Sequence, residues 1–158
     1  MAAGVSVLYS TTKSPFSWAV RLLTWSRWSH VGIISGGHVI EAHALHGVVK
    51  TPIHEAIESA DQYLVELVPC SNPAGVLAAA TRQIGKSYDW LALFGFLFRR
   101  DWQAIDKWFC SELVAWSFQA AGCPLFRAER LRRVTPEHLY MLPNDQGQSQ
   151  IQPEGVTQ

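Results

Sequence analysis

Ser29-His30-Val31-Gly32-Ile33-Ile34-Ser35-Gly36-Gly37-His38-Val39-Ile40-Glu41-Ala42-His43 reads as two short strands around a pair of glycines. β-Branched residues are dense on both sides, and a Gly-Gly pair suits a two-residue turn because its central positions need φ above zero. With Gly36 and Gly37 as the turn, His30 faces His43, Gly32 faces Glu41 and Ile34 faces Val39. His30, Glu41 and His43 then share one face of the hairpin, with Glu41 diagonal to His30 and within reach of its imidazole. Gly32 is expected to leave the space opposite Glu41 empty. One extra residue in the turn would send one strand's side chains to the other face and dissolve the grouping.

The flanking segments supply the rest of the architecture. A strand is expected over Val5 to Tyr9, then a helix capped by Ser14 with Pro15 in its first turn. That helix carries two apolar stripes, Phe16, Ala19, Val20 and Leu23 on one side and Trp18, Leu22 and Trp25 on another; packing between layers is expected, and the alternative is a tryptophan-bearing side that faces a ligand, a partner or a membrane surface. After the hairpin come an extended piece over His46 to Pro52, a short helix over Ile53 to Ser59 and a strand over Tyr63 to Val68. Asn72 and Pro73 open a helix with Val76, Leu77, Ala80 and Ile84 on its buried side and Gly85 as its stop. Ser87 to Trp90 lead into the apolar run Leu91 to Phe98, interrupted by Arg99, Arg100 and Asp101. A further helix begins near Trp108 and runs to Ala121, stopped by Gly122 and Pro124, and Thr135-Pro136-Glu137 caps a last short element. The order of elements is mixed rather than alternating, a strand, a helix, a run of strands and then helices, which points to an α+β domain with an antiparallel sheet packed against helices.

Composition excludes several function classes. At 158 residues with 16% charged side chains, one domain over residues 1–143 is expected, followed by a polar, disordered tail over 144–158 with Ile151 as an ordered anchor. Thirteen basic and thirteen acidic residues cancel, so no global field favours nucleic acid, and the cluster Arg127, Arg130, Arg132 and Arg133 reads as a solvated face. Three cysteines without a CxxC pair fit a reduced compartment better than a disulfide framework. No secretory leader is visible. The longest apolar run, Trp90 to Phe98, is about half of the roughly 20 residues a bilayer crossing needs. The expected location is the cytoplasm of the producing cell.

Chemistry centres on Trp108-Phe109-Cys110-Ser111-Glu112-Leu113-Val114-Ala115-Trp116, where a cysteine opens the last long helix. Unpaired N–H groups and the positive end of the helix dipole favour a thiolate, which is the reactive form of the side chain. The structural alternative is a buried cysteine acting as a small hydrophobe. A histidine on a strand and a cysteine on a helix start are what a thiol–imidazole pair requires, and Glu41 would fix the tautomer and orientation of His30. His38, His43, His46 and His54 offer imidazoles for a zinc site, but the hairpin register puts His38 on the opposite face from His43 and no cysteine lies nearby. Neither metal nor cofactor is expected.

The motifs Trp28-Ser29-His30-Val31-Gly32-Ile33-Ile34, Val39-Ile40-Glu41-Ala42, Val48 to Pro52, Gly85-Lys86-Ser87-Tyr88-Asp89 and Phe109-Cys110-Ser111-Glu112-Leu113-Val114 together resemble the YiiX-like branch of the NlpC-type papain-like cysteine hydrolases. In that branch the chain order is circularly permuted, so the histidine strand precedes the cysteine helix. The resemblance implies a permuted papain-like fold over about Val5 to Leu142. It makes Cys110 the nucleophile, His30 the general base and then acid, Glu41 its orienting group, and Tyr88 an oxyanion donor beside the backbone N–H of Cys110. For Tyr88 a half-buried aromatic with a satisfied hydroxyl is the alternative, and His43 stands as a substitute for or helper of Glu41.

The activity implied is cleavage of an amide through a thioester, most naturally by a peptidoglycan-type peptidase or amidase of bacterial or phage origin, delivered to the cell wall. A thiol-dependent lipid acyl hydrolase or acyltransferase is the alternative, with peripheral contact to a lipid surface through some of the seven tryptophans. A non-catalytic binding module of the same fold is the third option. The partners implied are a peptide, amide or acyl-ester substrate, with no nucleic acid; the oligomeric state is not readable from the sequence.

Overall fold

The structure, a computed structural model, describes residues 3–43, 46–86, 108–127 and 134–142. Its frame is a five-stranded antiparallel sheet of β1 (Gly4–Thr11), β2 (His30–Ser35), β3 (His38–His43), β4 (Gly47–Pro52) and β5 (Gln62–Pro69), in the order β4-β3-β2-β1-β5. The hairpin register is the expected one. Ile34 pairs with Val39 and Ser35 with His38, and Gly36 and Gly37 take φ values of 55° and 76°, the left-handed region that a two-residue hairpin turn demands. Strand β1 is longer than Val5 to Tyr9 because β5 pairs with it along its whole length, from Gly4 opposite Pro69 to Thr11 opposite Gln62.

One sheet face builds the core. Val5, Val7 and Tyr9 of β1, Val31 and Ile33 of β2, Ile40 and Ala42 of β3, Val48 of β4 and Leu64 and Val68 of β5 are buried together. Helices α3 (Pro73–Thr81) and α4 (Trp108–Ala120) pack against one another, and both contact the sheet. Helix α4 contributes Leu113, Val114, Ala115 and Phe118, so nearly every side it presents is buried. Truncating the fully buried Phe118 to alanine would cost about 3–5 kcal/mol. The remaining elements are α1 (Pro15–Thr24), α2 (Ile53–Glu58) and α5 (Pro136–Tyr140).

Local signals explain the helix ends. Ser14 accepts from the Ser17 N–H, Asn72 accepts from the Gly75 N–H, and Thr135 with His138 forms a capping box. Gly85 and Gly122 sit at φ 77° where the chain leaves α3 and α4. The structure corrects one expectation in α1: Trp18, Leu22 and Trp25 are 61%, 57% and 91% exposed, so that stripe is not packed between layers. The apolar run Leu91 to Phe98, Trp90, Trp102 and the tail over 144–158 lie outside the described residues.

A second correction concerns Gly32. The space opposite Glu41 is filled: a Cβ at position 32 would stand 2.4 Å from Val39 Cγ1 and 3.2 Å from Glu41 Cβ. Glycine is needed there so that β2 and β3 can close over the Glu41 stem. Gly32→Ala is therefore expected to destabilise the fold by roughly 1–3 kcal/mol through overpacking. Denaturant unfolding of the variant checks this, and an unchanged midpoint would show that the neighbours yield freely.

Candidate active site

The site is assembled from the end of the hairpin and the first turn of α4. His30 is the first residue of β2, and the chain just before it is held on several sides. Ser29 donates its hydroxyl to Ser10 O at 3.3 Å and accepts from Ser17 Oγ at 2.8 Å, while Ser26 Oγ and the Arg27 N–H both donate to Glu137 Oε2, at 3.1 and 3.0 Å. Trp28 is buried in an aromatic cluster with Tyr9 and Tyr140. These contacts fix the backbone from which the imidazole projects.

Strand alternation puts His30, Glu41, His43 and Thr51 on the face opposite Val31, Ile40 and Ala42. His30 Nε2 donates to Glu41 Oε2 at 2.6 Å. The other carboxylate oxygen, Oε1, accepts from Thr51 Oγ1 at 2.5 Å and lies 3.2 Å from His43 Nε2. Glu41 is buried, its side chain only 7% exposed. A buried carboxylate holds its charge only when its lone pairs are met by donors, and here three side chains meet them.

Cys110 is the third residue of α4, where backbone N–H groups have no partner within the helix. The neighbouring Ser111 is buried and donates its hydroxyl to Val134 O at 2.6 Å, which anchors the first turn. The Cys110 side chain is hydrogen-bonded to His30. Since Nε2 of His30 is taken by Glu41, Nδ1 is the ring nitrogen left for the sulfur. One imidazole thus bridges a thiol and a carboxylate, the arrangement expected from the sequence.

The electrostatics follow from that bridge. Burial disfavours the charged form of His30, but the hydrogen bond and charge of Cys110, joined by those of Glu41, override it and push the imidazole pKa up to about 10. Burial works against the Glu41 charge as well, and the hydrogen bonds from His30, His43 and Thr51 prevail, holding the carboxyl well below its usual range. His30, Glu41 and His43 each offer one donor atom, all within 4.8 Å of one another. The wider histidine set does not assemble: His38 bonds to Gly36 O, and His54 lies beside Glu55. Tyr88 lies outside the described residues. Thr51 lies in the Val48 to Pro52 stretch that carries part of the resemblance, but its role as a partner of Glu41 depends on the pairing of β4 with β3, which sets it opposite Val39.

A buried helix-borne cysteine joined through histidine to a carboxylate on an antiparallel sheet is the layout of a papain-like hydrolase. Residues 2–157 match the family model described as "Permuted papain-like amidase enzyme, YaeF/YiiX, C92 family", and the chain belongs to that family. No curated protein matches it in sequence. Its fold is similar to the crystal structure titled metalloprotein yiiX from Escherichia coli O157:H7, with a TM-score of 0.62 and 21% identity over 90% of this chain and 93% of that one. The α+β, permuted papain-like architecture is thereby established.

The raised His30 pKa has a consequence for stability. A protonated His30 stabilises the fold fully below its unfolded pKa near 6.5, and that contribution is lost as pH rises through about 10. Glu41 acts with the opposite sign, contributing above its unfolded value near 4.5 and losing that contribution as pH falls. The melting temperature is expected to drop by roughly 5 °C or more between pH 6.5 and pH 10. His30→Gln should flatten this slope; equal slopes in both proteins would mean that His30 does not titrate there.

Proposed function

We propose that the protein is a cysteine amidase that cleaves its substrate through a thioester on Cys110, most naturally the peptide stem of peptidoglycan. The observation that carries this reading is the bridging imidazole, with Cys110 on one side of His30 and Glu41 on the other. In the proposed cycle the Cys110 thiolate attacks the amide carbonyl and forms the carbon–sulfur bond. The oxyanion is met by the backbone N–H of Cys110 and by Tyr88. His30, protonated, gives its proton to the departing amine as the carbon–nitrogen bond breaks. Water deprotonated by His30 then releases the acyl group and returns the thiol. Glu41 keeps the ring in one orientation and Thr51 keeps Glu41 in place.

A lipid acyl substrate is the second reading, favoured by α1. Trp18, Leu22 and Trp25 form an exposed apolar stripe, and Arg21 and Arg27 line a shallow cleft with Trp18 and Leu22. Trp25 ends the helix at φ 52°, unusual for a bulky residue, and is the most exposed of the three. No helix among the described residues is long and apolar enough to cross a membrane. Contact with lipid would therefore be peripheral.

The solved relative's title calls it a metalloprotein. In this chain two imidazoles and a carboxylate, His30, His43 and Glu41, form a donor set that suits zinc. A bound divalent ion would supply Lewis-acid polarisation of a carbonyl. It would also occupy the His30 and Glu41 atoms that now bond to one another, so metal and thiol chemistry compete for one set of atoms.

Two experiments test the proposal. Wild type and Cys110→Ala are incubated with defined muropeptides and with phospholipid or acyl-ester substrates and read by mass spectrometry. Only wild type is expected to turn over, and turnover by the alanine variant would remove Cys110 from the mechanism. Turnover of lipid alone would replace the peptidoglycan reading with the lipid one. Chelation by EDTA should leave activity intact and added zinc should lower it, whereas loss of activity in EDTA would favour a metal-centred reaction. In the same assay Thr51→Val is expected to lower kcat by roughly tenfold to a hundredfold with little change in KM, as for other groups that hold a catalytic side chain.

A further inference from the structure

Cys70 and Cys123 lie away from the site, yet the fold brings them together from distant parts of the chain. Cys70 follows β5, where its N–H donates to Ala3 O at 3.0 Å. Cys123 follows α4, where its N–H donates to Phe118 O at 2.9 Å just after Gly122 turns the backbone. Neither is in a disulfide, both are partly exposed, and their side chains interact directly with one another. The two segments are clamped by Asn72, whose Nδ2 donates to Ala121 O at 3.2 Å.

The surroundings treat the two sulfurs differently. Ser71 Oγ lies 3.3 Å from Cys123 Sγ, and the backbone N–H groups of Ser71 and Asn72 also reach that sulfur. The Ser71 hydroxyl is the largest influence pulling the Cys123 thiol below its ordinary pKa; burial opposes it, and the Asn72 N–H, Cys70 and the Ser71 N–H add to the downward pull. Cys70 goes the other way: burial and the neighbouring Cys123 charge raise it, although the Asn72 N–H acts against them. A partly exposed thiol with a lowered pKa beside a thiol with a raised one is the pairing that thiol–disulfide exchange uses.

We propose that Cys70 and Cys123 are a second reactive site, a redox-active thiol pair whose substrate is a low-molecular-weight disulfide. In the first step the Cys123 thiolate attacks one sulfur of the small disulfide, forming a mixed disulfide and expelling a small thiolate, which takes up a proton. In the second, Cys70, as its proton leaves, attacks Cys123 Sγ. That step forms the Cys70–Cys123 bond and releases the second small thiol. The protein loses two electrons and two protons, and one small disulfide becomes two thiols. The product ties the end of α4 to the end of β5.

The test uses the full chain with Cys110→Ser, so that the proposed nucleophile does not react, and oxidised glutathione as the probe. After incubation, remaining thiols are trapped with iodoacetamide and the intact mass and peptide map are recorded. The expected product has lost two hydrogens and carries a Cys70–Cys123 crosslink that dithiothreitol reverses. Adding Cys70→Ser should halt the reaction at a glutathione adduct on Cys123, and adding Cys123→Ser should slow modification at least tenfold. A glutathione adduct that persists without crosslinking when both cysteines are present overturns the proposal, as does unchanged reactivity in the Cys123→Ser protein. The parent product decides the matter even if a serine variant fails to fold.

Discussion

The register of the β2–β3 hairpin governs everything the site contains. Gly36 and Gly37 set the turn, and Ile34 opposite Val39 follows from it. Side chains on a strand alternate with period two, so a slip by one residue would exchange His30 for Val31 and Glu41 for Ile40 on the polar face. What forbids the slip is the core. Val31, Ile33, Ile40 and Ala42 are buried on the other face, and burying one such aliphatic side chain is worth roughly 1.5–3 kcal/mol. The geometry of the polar site is thus enforced by apolar burial on the reverse of the same two strands.

Within that frame Glu41 is a buried charge that depends on its partners. Its carboxylate is out of water and keeps its charge because His30, Thr51 and His43 surround it. Removing one partner leaves a buried anion short of a donor, which costs more than the net worth of the bond removed. His30 answers Glu41 through one nitrogen and Cys110 through the other, so changes to any member are expected to be felt by the rest. The exposed side of the cluster is formed by His30 and His43, whereas Cys110 lies beneath the surface.

How much of this could be read from the chain depended on the range of the signal. Gly-Gly, Ser-Pro, Asn-Pro and Thr-Pro are local statements about backbone conformation, and the structure places turns or caps at each. The His30–Glu41 contact needed only one hairpin, and it was legible for that reason. Thr51 needed a second pairing, of β4 with β3, and its role could not be read from its own neighbourhood. The tight approach at Gly32 was misread because a missing side chain says nothing about which neighbour fills its place; Val39 and the Glu41 stem do. In α1 both stripes are apolar, so hydrophobic periodicity could not tell which one faces solvent. Cys70 and Cys123 had no local mark, since β5 and α4 meet only through the tertiary fold.

Helix α4 links the two thiol sites and poses opposite problems at its ends. It has 13 residues, which at 1.5 Å per residue spans about 20 Å, too far for Cys110 and Cys123 to act on one another directly. At its N-terminus the positive end of the helix dipole lies on the Cys110 side of the site. At its C-terminus the same dipole works against a thiolate on Cys123, so stabilisation there must come from another element. It comes from the segment that opens α3: Asn72 is the N-cap of that helix, and its N–H, the Ser71 N–H and the Ser71 hydroxyl all reach the Cys123 sulfur. The chemistry assigned to the far end of α4 therefore depends on how α3 and α4 dock, which Asn72 secures through its bond to Ala121 O.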